Sequence, residues 1–172
     1  MKVYAIDPGN IKSALCVIDA ETLRPLRSCI EDNEVLRKHI INDLRMEEGD
    51  DVAIEMLQSY GNLIGKDVLD TAVWIGRFYE AFMRKMPIQG AKPMFVYRME
   101  EKMHICGDSK AGDPNIRRAL IDRFCTHDFR NGKGNAKNPD WFYGFSKDMW
   151  AAYAVGLTHI EKNMKERNST NE

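Results

Sequence analysis

Apolar residues follow two rhythms along this chain. Near the N-terminus they form short, almost unbroken runs, Val3-Tyr4-Ala5-Ile6 and then Ala14-Leu15-Cys16-Val17-Ile18. Runs this short, bounded by turn residues, predict strands. Strands are expected over 2–7, 13–19 and 25–30, with the Pro8-Gly9-Asn10 breaker after the first and Pro25 marking the third as an edge strand. From Asp32 or Asn33, a capping residue, the rhythm turns helical. Val35, Leu36, Ile40, Ile41 and Leu44 share one face, and Gly49 ends the helix. A fourth strand follows over 51–55. Val68, Leu69, Ala72, Val73, Ile75, Gly76, Tyr79 and Phe82 predict a longer helix from about 66 to 84, and Met94-Phe95-Val96-Tyr97 a fifth strand. Asp113-Pro114 opens a helix to about Cys125, with an acid at the cap and proline in the first turn. A polar, glycine-containing loop over 131–138 is expected to be mobile. The last helix is expected from 146 to about 166, with a frayed tail over 168–172. No repeat or linker interrupts this order, so one domain over 1–172 is expected. The order β-β-β-α-β-α-β-α-α predicts an α/β fold with a five-stranded mixed sheet and helices on both faces.

Composition narrows the class. A chain of 172 residues can bury a substantial core. No apolar run approaches the roughly 20 residues of a membrane helix, so no membrane association is expected. Met1-Lys2-Val3-Tyr4-Ala5-Ile6-Asp7 is too short and too soon acidic for a signal peptide. The scattered Cys16, Cys29, Cys106 and Cys125 lack a disulfide-framework spacing and point to a reducing cytoplasm. A net charge of −1 weighs against a generally basic nucleic-acid binder. Between Lys92 and Lys137, however, ten basic residues, among them Arg117 and Arg118, face six acidic ones. Such a local excess is the kind of footprint that contacts phosphates.

The candidate chemistry lies in three acids. Asp7 ends the first strand, Glu55 ends the fourth, and Asp148 opens the last helix. A parallel pairing of the first and fourth strands would place Asp7 beside Glu55, and the last helix could bring in Asp148. Carboxylates gathered in one pocket repel each other unless a cation neutralises them, so the pattern points to a divalent-metal site. A second constellation, His104-x-Cys106 with Cys125-x-His127, has tighter gaps than structural zinc sites use. His159 and the aromatic, Met-containing last helix are expected to be structural.

Three stretches, taken together, resemble the RuvC-like crossover-junction endodeoxyribonucleases, and among them the divergent phage-type members. They are Ala5-Ile6-Asp7-Pro8-Gly9, Ala53-Ile54-Glu55, and the alanine-rich helix from Asp148 to Leu157-Thr158-His159. A weaker similarity runs from Lys102 through Gly107, Ala111, Asn115 and Ile116. The resemblance implies a ribonuclease H-like fold and a homodimeric endonuclease that binds four-way (Holliday) DNA junctions. It implies dependence on Mg2+, with Mn2+ able to substitute, and a place in the cytoplasm of a prokaryote or phage-infected host. Asp7, Glu55 and Asp148 match the family's metal-binding carboxylates. Lys102 or Lys110 would steady the phosphate, and Tyr60 would replace the aromatic expected near Gln58. The chain departs from the pattern where Ala151 stands at a usual acidic position, with Asp140 as a nearby stand-in, and where Asp113 falls at a usual basic one.

Two chemistries compete with junction resolution on the same fold: a catalytically weak nucleic-acid-binding module and an RNA-processing nuclease. Asp7-Pro8-Gly9-Asn10 also resembles the first phosphate loop of actin-like ATPases, but those need two halves of such a fold.

Overall fold

A computed structural model describes residues 1–58, 61, 64–86 and 91–169. Its strands are β1 (Lys2–Asp7), β2 (Lys12–Asp19), β3 (Pro25–Asp32), β4 (Asp51–Met56) and β5 (Met94–Tyr97). Its helices are α1 (Asn33–Asn42), α2 (Lys66–Met83), α3 (Arg98–Cys106), α4 (Asp113–Phe124) and α5 (Met149–Ser169). The five strands lie in the order β3-β2-β1-β4-β5. β1 pairs antiparallel with β2, and β2 with β3, while β1–β4 and β4–β5 are parallel. The mixed sheet and the edge position of β3 agree with the sequence reading.

Alternation along the central strands divides the core in two. Val3, Ala5 and Ala53 face one side, where they join Leu120 and Ile121 of α4 and Tyr153, Val155 and Leu157 of α5. Tyr4, Ile6, Val52 and Ile54 face the other, against Leu36 and Ile40 of α1 and Ile75, Phe78 and Phe82 of α2. Helices therefore cover both faces. Helix α5 crosses β1 and β2 closely because Gly156 has no side chain. A Cβ there would lie 2.8 Å from Ala5 Cβ and 2.5 Å from Ile18 Cδ1.

Four expectations change. Helix α1 ends at Asn42, with Asp43 as its C-cap, and not at Gly49. The hydrophobic pattern marks no element over 98–112, yet α3 occupies Arg98–Cys106. Its start is a capping box in which Glu100 Oε2 accepts the Tyr97 N–H at 2.8 Å, and Gly107 ends it with φ 67°. Helix α5 starts at Met149 rather than 146 and continues through Ser169, and the expected tail beyond it lies outside the described residues. The 131–138 loop, expected to be mobile, is tied down. Asp128 accepts the N–H groups of Arg130, Asn131, Lys133 and Gly134. Asp140 accepts those of Thr126, His127, Asp128 and Trp141.

Candidate functional site

The parallel β1–β4 register runs from Val3 opposite Asp51 to Ile6 opposite Ile54, so Asp7 and Glu55 come next on neighbouring strands. Both share the parity of Ala5 and Ala53, whose side of the sheet is covered by α4 and α5. Asp148 directly precedes α5 on that side, and its carbonyl accepts the Ala152 N–H at 3.0 Å. Lys147, with φ 43°, makes the sharp backbone turn just before it. The carboxyl ends of the parallel strands, where open α/β sheets place their ligands, thus carry Asp7 and Glu55 on neighbouring strands, with Asp148 close enough for its charge to act on Asp7.

The turn after Asp7 is built to be rigid. Ser13 Oγ accepts the Gly9 N–H at 3.1 Å and donates to Asn33 Oδ1 at 2.6 Å, and Asn33 Nδ2 returns to the Gly9 carbonyl at 2.9 Å. Ser13 and Asn33 are both buried. Asn33, read from sequence as a candidate helix cap, is spent instead on this loop.

Asp7 titrates well above the ordinary carboxylate range. Burial is the main cause; the charge and hydrogen bond of Glu55, then the charges of Asp148 and Glu101, push it further. Glu101, on α3, is the acid that sequence reasoning missed. It is fully buried, and its pKa is pushed up to about 9, by burial first and then by Glu55, against the pull of Arg98. Arg98 Nη1 donates to Glu101 Oε2 at 2.6 Å, and its Nη2 pairs with Asp113. Burial lowers the Arg98 pKa, but Glu101, Glu55 and Asp113 outweigh it and hold the guanidinium charged. The signal that could have found Glu101 is the Tyr97–Glu100 capping box. It starts a helix directly at the end of a strand parallel to β4, so its first turn lies near Glu55.

The cation against the acids is therefore Arg98. Lys102 is next in sequence to the inward Glu101, and neighbouring helix positions do not share a face. Lys102 is half-buried on α3, and Lys110 sits in the exposed turn after it. Arg98, Asp7, Glu55, Thr71 and Ile75 line a pocket of about 220 Å³. Beyond Asp113 and Asp148 opens a larger cleft of about 560 Å³, whose wall carries Arg117, Arg118, Arg130 and Lys147. Arg117 stacks on Trp150, with its guanidinium 4.8 Å from the ring centroid, and Arg118 pairs with Asp122 at 2.7 Å. Tyr60 lies outside the described residues.

Asp140 is not brought to the acids, since its carboxylate is consumed by the backbone of the 126–141 loop. The four residues of the zinc alternative also go elsewhere. His104 bonds Glu161 at 2.6 Å, His127 lies 3.4 Å from Asp140, the Cys125 thiol faces the Gly132 carbonyl, and Cys106 packs against the core. His159 bonds Asp51 at 2.7 Å, at the far end of β4 from Glu55. Among the described residues no group of three or more His, Cys, Asp or Glu side chains is arranged to hold a metal ion as it stands. At the strand ends, Arg98 Nη1 holds one oxygen of Glu101 at 2.6 Å. The donor chemistry nonetheless fits a hard divalent cation. Every donor is a carboxylate oxygen, and Glu101 Oε1 is buried without a hydrogen-bond partner.

Neither a protein-family model nor a curated protein matches the chain. Among solved structures, Thermus thermophilus RuvC aligns with a TM-score of 0.65 at 18% identity, covering 96% of this chain and 97% of that one. T. thermophilus RuvC in complex with Holliday junction substrate aligns with a TM-score of 0.64 at 18% identity, covering 96% of each chain. The chain thus has the ribonuclease H-like fold of RuvC, and at that identity the likeness is one of architecture.

Proposed function

We propose that the chain is a metal-dependent endonuclease that binds four-way DNA junctions and resolves them by paired, symmetric nicks. The observation that carries this reading is that Asp7 and Glu55 end neighbouring parallel strands within reach of the Asp148 charge, beside a cleft walled by Arg117, Arg118, Arg130 and Lys147. Basic side chains beside a carboxylate centre suit a phosphodiester backbone that must be gripped next to the point of cleavage. Asp7, Glu55 and Asp148 would hold Mg2+, or Mn2+ in its place. Bound there, the ion would activate water and neutralise charge on the phosphate. The chain's own residues do the rest. Arg117 and Arg118 orient the backbone, the Ser13–Asn33 network fixes the Asp7 turn, and Arg98 supplies positive charge beside the acids, in the role expected of Lys102 or Lys110.

Symmetric nicking needs two copies. Helix α2 carries an exposed apolar stripe of Leu69 and Val73, 56% and 54% exposed, beside Gly76, where even a Cβ would touch nothing. Positions 69, 73 and 76 share one helical face, which suits a self-complementary two-fold contact. The partners of the chain are then branched DNA and a second copy of itself. Among the described residues no helix is long and apolar enough to cross a membrane.

The test is cleavage of a synthetic four-way DNA junction with Mg2+ present or chelated, beside linear duplex and a four-way RNA. Wild type should nick the DNA junction at two symmetric positions only with metal. Asp7→Asn should bind the junction normally and lose cleavage by at least about a hundredfold. Junction binding without metal-dependent cleavage in the wild type would replace this reading with the binding-module one.

A further inference from the structure

Glu101 is the most completely buried acid among the described residues, with 0% exposure. Buried carboxylates normally spend both oxygens on hydrogen bonds, because an unpartnered buried acceptor has lost its water and gained nothing in return. Glu101 spends one. An arginine fork can clasp a carboxylate through both of its oxygens. Here the fork is divided, with Nη1 on Glu101 Oε2 and Nη2 on Asp113. Glu101 Oε1 is left buried with no partner. Its position is not accidental. The Glu100 capping box fixes the start of α3, and Ile105 and Cys106 pack its far end against the core. The carboxylate is thereby held within electrostatic reach of Glu55 and Asp7. One turn into α5, Ala151 offers no oxygen that could do the same work.

We propose that Glu101 is a further metal-holding carboxylate of this chain, which gives Oε1 to the hard divalent cation of Asp7 and Glu55 while Arg98 keeps Oε2. This rests on the metal-site reading above. Arg98 is then a positioning residue. It fixes the Glu101 carboxylate and shares its own charge with Asp113, so the unspent oxygen is reserved for the ion. The ligand class follows from the donors, which include no nitrogen or sulfur; hard divalent cations, Mg2+ and Mn2+ among them, prefer such a set.

The test uses the full chain without DNA and Mn2+ alone as the probe. Calorimetric titration gives its Kd, and melting in EDTA and in Mn2+ gives the stabilisation the ion confers. Glu101→Gln keeps the shape and an acceptor for Arg98. It should weaken Mn2+ binding by more than about tenfold and shrink the metal-induced rise in melting temperature. Its melting temperature in EDTA should equal or exceed that of wild type, because the neutral amide still accepts from Arg98 and carries none of the charge that burial opposes. An unchanged Kd would overturn the proposal. So would a lower melting temperature in EDTA with the metal-induced rise intact, which is the mark of a purely structural partner of Arg98. Should Glu101→Gln not fold, Glu101→Asp is titrated instead; it shortens the reach and should weaken binding similarly, with an unchanged Kd again overturning the proposal. The Asp7→Asn protein separates the two readings. If wild type binds no Mn2+, or Asp7→Asn binds it unchanged, the metal site itself fails. If Asp7→Asn loses binding and Glu101→Gln does not, only the role of Glu101 fails.

Discussion

Gly156→Ala sets helix propensity against packing, and the structure says which wins. Alanine in a helix interior is favoured over glycine by about 1 kcal/mol. Against this, the new Cβ would sit 2.8 Å from Ala5 Cβ and 2.5 Å from Ile18 Cδ1. Ile18 can turn its terminal methyl away. Ala5 cannot, because its Cβ is fixed to the middle of β1, between β2 and β4. Relief therefore requires α5 to lift from the sheet by several tenths of an ångström along a fully buried contact. Overpacking of this kind costs about 1–3 kcal/mol, and more where the backbone must move. We expect a net loss of about 1–2 kcal/mol, which for a chain of this size lowers the melting temperature by about 2–8 °C. Urea unfolding at constant m-value measures the loss directly. Adding Ala5→Gly should recover part of it, since the two sites touch. Asp148 sits at the head of the helix that lifts, so Mn2+ binding should weaken in the same variant. A Gly156→Ala protein as stable as wild type, or more so, would refute the close α5–sheet contact on which the placement of Asp148 depends.

Other expectations follow from the same contacts. Asp140→Asn removes the charge that holds the N–H groups of Thr126, His127, Asp128 and Trp141, and should cost about 3 kcal/mol in urea unfolding at pH 7. Burial pushes the Asp140 pKa up, but those bonds outweigh it and hold it below the usual carboxylate range, so its contribution is complete above the unfolded pKa near 4 and is lost only in stronger acid. Glu101 and Asp7 work in the opposite direction. Their raised pKa values mean that the folded chain binds more protons than the unfolded one. In EDTA, stability should therefore fall as pH rises from about 4.5 toward 9, and Glu101→Gln should flatten that slope. A stability that rises over this window would contradict the burial of Glu101. The proposed α2 contact predicts that Val73→Glu lowers the sedimentation coefficient from that of a dimer to that of a monomer in analytical ultracentrifugation; an unchanged coefficient would reject α2 as a contact between copies.

Much of this arrangement is written locally. The buried strands β1, β2 and β4 announce themselves as apolar runs because both faces of the central sheet are covered. Asp7 and Glu55 stand out because each is the first acid after such a run. Pro8-Gly9 and Asp113-Pro114 mark their boundaries by chemistry that needs no partner. Helix α3 was harder to read. Its sequence, Arg98-Met99-Glu100-Glu101-Lys102-Met103-His104-Ile105-Cys106, is dominated by polar residues because much of its surface is spent on ion pairs, with Glu161 on His104, Lys162 on Glu100 and Asp113 on Arg98. Hydrophobic periodicity is weak where a helix is held by charge.

What local pattern determined, then, is which segments are strands and helices, and which acids end them, since periodicity and turn chemistry act over a few residues. What only the tertiary structure decided is the use of the remaining charges. Asp140 and Glu101 are both acids whose roles the local sequence does not mark. One meets four backbone N–H groups and is consumed in folding a loop; the other meets half of an arginine and keeps an oxygen unspent. That difference is set by which surfaces approach from distant parts of the chain, because the energy of a buried carboxylate depends on its neighbours in space and not on those in sequence.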